Sequence, residues 1–186
     1  MEYLLILLGA IVAGFFGAGV ILIINLLFGR RLPGWSTAVA AGVAMLGMTI
    51  YLEYDWFKRR TAELPQGVEV AWQNGQRQIW RPWTFIFPLT TRFIAMDVEN
   101  VGVTEANPEL RMVDTLFVQR WTRDRLNKVV FDCNEQRNAL IGPDTTFGPD
   151  GTLEGVDWDP VSPDDPVLQL ACEGGENNGA KASRAG

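Results

Sequence analysis

The chain predicts a membrane-anchored, mainly β protein: a two-helix transmembrane hairpin followed by a small antiparallel β domain with one expected disulfide. Three observations carry this expectation. Two long uncharged apolar stretches occupy the first part, up to Leu52. The remainder is made of short β-branched and aromatic runs set between Gly, Pro and Asn turns. The only two cysteines, Cys133 and Cys172, both fall in that second part.

From Tyr3 to Phe28 no residue is charged. At a rise of about 1.5 Å per residue the stretch reaches nearly 40 Å, longer than the roughly 30 Å hydrocarbon core, so it spans with tilt. A buried helix of a soluble protein rarely stays apolar on every face for that length. The second stretch, Trp35–Leu52, is diluted by Ser36, Thr37, Thr49 and many small residues but also lacks charge. Its length of about 27 Å just crosses the hydrocarbon. Arg30 and Arg31 flank it on one side, and Glu53, Asp55, Lys58, Arg59 and Arg60 on the other. Gly29-Arg30-Arg31-Leu32-Pro33-Gly34 reads as a tight turn between helices, with spans at 3–28 and 35–52 inside a unit 1–60. A cleaved signal peptide fits less well: no Lys or Arg precedes the apolar run, which is longer than a usual signal core.

Small residues recur at four-residue spacing: Ala10, Gly14 and Ala18, with Ala13 and Gly17 beside them, and Ala38 with Gly42 or Ala40 with Ala44. Such rows let helix backbones approach closely in lipid. They serve either to pack the two helices on each other or to dock another membrane protein. Arg30, Arg31 and Trp35 are candidates for the membrane interface.

Two uncleaved spans put both termini on one side of the membrane. The positive charges at the span ends nearly balance, but Glu2 with no basic residue before the first span favours export of the N-terminus and a cytoplasmic arginine turn. The expected location is the inner membrane of a bacterial cell, multi-pass, with the C-terminal domain in the periplasm. Two cysteines in an acidic exported domain read more readily as a disulfide than as a metal site. A pair of unrelated thiols in a cytosolic domain is the alternative, and free-thiol titration separates the two.

About 120 residues remain for the soluble part, enough for one domain. We expect it over 61–173, with 174–186 as a disordered tail poor in apolar residues. Candidate strands are 68–72, 78–80, 83–87, 92–98, 112–120, 128–133, 137–141 and 167–171. Turns are marked by Asn74-Gly75, Asn100–Gly102, Asn107-Pro108, Gly142-Pro143-Asp144 and Gly148-Pro149-Asp150-Gly151.

The run Val129-Val130-Phe131-Asp132-Cys133-Asn134-Glu135-Gln136-Arg137 through Leu140, then Trp158 and Pro160, then Pro166-Val167-Leu168-Gln169-Leu170-Ala171-Cys172, resembles bacterial exported domains of the surface adhesin protein E type. In those, an aspartate-cysteine strand is followed by a basic residue, a tryptophan-containing loop and a closing cysteine. The likeness covers about 92–173 and rests on the two cysteines with Asp132, Arg137 and Trp158. It implies an exported β domain with a Cys133–Cys172 bridge. The membrane hairpin and the stretch around Trp80–Pro88 depart from the pattern, so an adhesive role does not carry over.

The chain has no histidine, which removes the usual general base and the commonest metal and haem ligand. No Ser-His-Asp or Cys-His arrangement is available, and no phosphate-cradling glycine loop or dinucleotide fingerprint occurs. We therefore expect no enzyme, no cofactor and no nucleotide. The late carboxylates Asp144, Asp150, Glu154, Asp157, Asp159, Asp164 and Asp165 sit among Pro and Gly turns, and the run Asp144 to Glu154 fails the EF-hand spacing. From Thr61 onward 11 Lys and Arg face 19 Asp and Glu, a net of −8, which repels nucleic acid.

The cluster Trp72, Arg77, Trp80, Arg81, Trp83, Phe85 and Phe87 reads as one core face of a strand, or as Trp80, Arg81 and Trp83 held at the membrane interface or a partner. The functional expectation is a non-enzymatic membrane-anchored accessory or interaction protein. Its partners are the lipid bilayer and other membrane proteins. The alternative is a tethered ligand-binding or surface-interaction module.

Overall fold

The structure is a computed structural model describing residues 2–104, 107–148 and 152–182. The chain forms two compact units, Met1–Arg60 and Thr61–Gly186.

The first unit is a helical hairpin, α1 (Glu2–Leu27) and α2 (Ser36–Ala62). α1 closes through Gly29 and Arg30, both in the left-handed region at φ 71° and 59°. The Asn25 carbonyl accepts from the Arg30 amide, and the Asn25 side-chain oxygen accepts from Leu32 N–H at 2.9 Å. The one amide side chain in the apolar stretch thus fastens the turn that follows it. α2 opens where the Pro33 carbonyl accepts from Ser36 N–H and, at 2.7 Å, from Ser36 Oγ. It runs past Leu52, and its polar end carries an Asp55–Arg59 ion pair at 2.9 Å, one helical turn apart.

The second unit is an antiparallel sheet. Its strands are β1 (Val68–Gln73), β2 (Arg92–Asp97), β3 (Gly102–Thr104), β4 (Asn107–Gln119), β5 (Arg125–Asp132), β6 (Arg137–Leu140) and β9 (Asp159–Pro160), in the order β1-β2-β4-β5-β6-β9. β3 shares the β2 edge of the long strand β4. β7 (Thr146–Phe147) and β8 (Leu153–Glu154) pair separately. Helix α3 (Pro166–Ala182) follows.

Register sets the core. Met96 pairs with Thr115 and Val113 with Val129. With Phe131 they form one face, closed by Leu168 and Ala171 of α3. On the opposite pleat Phe93, Ala95, Val118, Val130 and Ala139 are buried as well.

Three expectations are corrected here. The run 167–171 is helical, not a strand. Asp165 caps the helix: its Oδ1 accepts from Val167 N–H at 2.8 Å, while Pro166 occupies the first turn, where no amide is needed. The helix runs on to Ala182, into the stretch read as a disordered tail, and 183–186 lie outside the described residues. The runs 78–80 and 83–87 are not strands either: Gln78 makes only an isolated bridge with Arg81, and Pro82–Phe85 forms a single 3₁₀ turn inside a loop. Finally, Asn107-Pro108 and Gly102, read as turns, belong to β4 and β3. Asp150, with Pro149 and Gly151 of its turn, also lies outside the described residues.

Candidate functional site

Three places collect the residues singled out above: the hairpin seam and the two ends of the sheet.

At the seam, Gly14 is buried, and a Cβ added there would meet Met45. A Cβ on Gly17 would fall 2.7 Å from the Ala44 Cβ and 2.9 Å from the Ala40 carbonyl oxygen. The Ala40–Ala44 row is therefore the one that meets α1. Ala10 and Ala18 are half-buried, whereas Ala38 and Gly42 are exposed, with nothing within 4 Å of a Cβ on Gly42. Arg30, Arg31 and Trp35 are exposed around the turn. Gly17→Leu is expected to push α1 off α2. The check is a longer distance between nitroxides at Val12 and Val43, both on exposed positions.

One end of the sheet is acidic and stapled. Cys133 and Cys172 are joined, with Cα atoms 6.0 Å apart and 39 residues of separation. Beside the bridge the side chain of Asp132 is almost fully buried. Its Oδ1 accepts from the Asn134 and Glu135 amides at 3.1 and 3.0 Å, and its Oδ2 from Arg137 Nε and Nη2, both at 3.0 Å. Arg137 also reaches Glu135 at 2.7 Å and lies 4.4 Å from the Trp158 ring centroid. The carboxylate thus fixes the β5–β6 turn, where Gln136 takes φ 54°, and places the guanidinium on the indole. Asp132→Ala leaves two amides and a cation without their acceptor. A loss of about 3 kcal/mol is expected, read by chemical denaturation.

The other end is basic and apolar. Between β1 and β2 the chain makes a long loop fastened from inside. Asn74 Oδ1 accepts from the Thr91 and Arg92 amides at 2.9 and 2.8 Å, and Gln76 and Leu89 exchange backbone hydrogen bonds. The buried Thr84 hydroxyl accepts from Gln78 N–H at 2.8 Å and donates to the Arg81 carbonyl at 2.7 Å. With its polar groups turned inward, the loop presents Ile79 at 84%, Trp80 at 75% and Ile86 at 75% exposure, with Phe85 and Phe87 also exposed. Trp83 is half-buried, and its buried indole N–H has no hydrogen-bond partner among the described residues. The β4–β5 turn joins this end, because Arg120 N–H donates to the Thr91 carbonyl. Trp121 there is half exposed at φ 71°, with the Arg120 guanidinium 4.6 Å from its ring centroid.

A groove of about 420 Å³ opens on the sheet toward this end. Trp72, Ile94, Phe117 and Leu140 are among its apolar lining, and Arg92, Arg123 and Arg125 are its charged lining residues. Sequence reasoning did not reach this groove. Its residues lie far apart along the chain, and only the pairings Ile94–Phe117 and Phe117–Arg125 bring them together.

Among the described residues no three Cys, Asp or Glu side chains gather as metal ligands would. Comparison of the chain with protein-family models, with curated proteins and with solved structures gives no match.

Proposed function

We propose that the chain is a non-enzymatic, membrane-anchored interaction protein. Its hairpin sits in the inner membrane of a bacterial cell, and its disulfide-bonded β domain works in the periplasm as an accessory subunit of a larger membrane complex. One observation carries the reading. Both helices are long and apolar enough to cross a bilayer, and their apolar side chains, Phe15, Phe16, Leu26 and Val43 among them, are exposed. A soluble core helix hides that surface, whereas lipid accepts it. The bridge supports an oxidising compartment, and the exposed Ala38–Gly42 row offers a second close-packing face for a neighbouring helix.

Purification of the full chain in mild detergent tests this. Co-purification with other membrane proteins in fixed ratio is the expected result. The groove with its three arginines favours one alternative, a tethered module for an anionic amphiphilic ligand, to which the surface adhesin resemblance also lends itself. In that case the protein comes alone, and its melting temperature rises with ligand.

A further inference from the structure

We infer that the basic, apolar end of the sheet, the 76–88 loop with the Trp121 turn beside it, enters the headgroup layer of an anionic phospholipid bilayer, the membrane that holds the hairpin; this rests on the spanning reading of α1 and α2.

The first ground is exposure. Ile79, Trp80, Phe85 and Ile86 are each more than half exposed on a loop whose Asn74 and Thr84 hydrogen bonds hold it in that form. The apolar side chains therefore stand outward as a fixed feature of the loop. Exposed to that degree, they project from the surface instead of lining a recess, a shape suited to a fluid headgroup layer. Trp with aliphatic neighbours and nearby Arg is the composition of membrane-interface segments.

Charge is the second ground. From Val70 to Met96 the chain holds Arg77, Arg81 and Arg92 and no carboxylate, while the rest of the domain from Thr61 carries 8 Lys and Arg against 19 Asp and Glu. The β4–β5 turn adds exposed Arg123 and Arg125 against Asp124, with Arg120 buried beside the Trp121 ring, and no carboxylate lines the groove. An acidic domain has gathered its positive charge at the end where it shows its apolar side chains. Anionic lipid attracts such a surface.

The test uses the full oxidised chain in vesicles of phosphatidylcholine with phosphatidylglycerol. Nitroxides are placed singly through Ile86→Cys, Val43→Cys and Ser162→Cys, and their accessibility to oxygen and to a nickel chelate is measured. Ile86 is exposed, so the label leaves the fold intact. The expected result is a membrane-type signature at 86, favouring oxygen, beside an aqueous one at 162. Phosphatidylcholine alone, or Arg77→Glu with Arg81→Glu, should shift the label at 86 several-fold toward the chelate. A label at 86 as open to the chelate as the one at 162, with 43 in hydrocarbon, overturns the inference. Chelate access at 43 instead overturns the spanning reading itself.

Discussion

Replacing Cys133 and Cys172 together by alanine is expected to lower the stability of the β domain by about 4 kcal/mol, the entropy a 39-residue closure removes from the unfolded chain. The bridge ties the end of β5 to α3 and encloses β6 to β9, short elements with few apolar side chains of their own. Without it, α3 is held to the sheet chiefly by Leu168 and Ala171. The melting temperature of a domain this size should fall by roughly 15 °C. Thermal denaturation of the detergent-solubilised chain, by near-ultraviolet circular dichroism, reads the change, and reductant on the unmodified chain should reproduce it. An unchanged melt means that the sheet and helix hold without the cross-link.

Phe131→Ala is expected to cost about 4 kcal/mol. The ring is 1% exposed and packs in the cluster that holds Val113, Val129 and α3. Its removal opens a cavity under the helix, one residue from the Asp132 carboxylate that fixes the next turn. The same truncation at Ile86, exposed in the loop, should change stability by under about 0.5 kcal/mol. Denaturant melts of the two variants compare a side chain that holds the fold with one turned to a surface. A loss at Ile86 as large as that at Phe131 means the loop is packed, not presented.

Which parts of this were legible in the sequence follows from the range of the forces involved. The first helix shows itself through the absence of charge from Tyr3 to Phe28, and the structure gives Glu2–Leu27. The uncharged stretch of the second ends at Leu52, whereas the helix runs to Ala62, its charged end paired within itself by Asp55 and Arg59. Strands with alternating or β-branched runs, 68–72, 92–98, 128–133 and 137–141, lie within a few residues of β1, β2, β5 and β6. α3 was missed because Val167–Ala171 is too short to distinguish a helix period from a strand. The signal was the Asp165-Pro166 pair, cap and first turn, which outweighs five apolar letters. The loop at 76–88 was misread for a related reason. Aromatic alternation suggests a strand, yet Pro82 removes an amide and Thr84 draws the backbone into a turn.

Of the candidate sites, the choice between the two small-residue rows of α2 needed packing, and Gly17 against Ala40 and Ala44 decides which row faces α1. The gathering of arginines at one end depends on strand register, which no local pattern contains.

On the proposed reading, the solvent of α1 and α2 is lipid. Membranes from cells making the full chain, washed with alkaline carbonate and floated on a density gradient, test it directly. The expected result is that the protein rises with the lipid. Recovery in the carbonate supernatant, free of lipid, contradicts it.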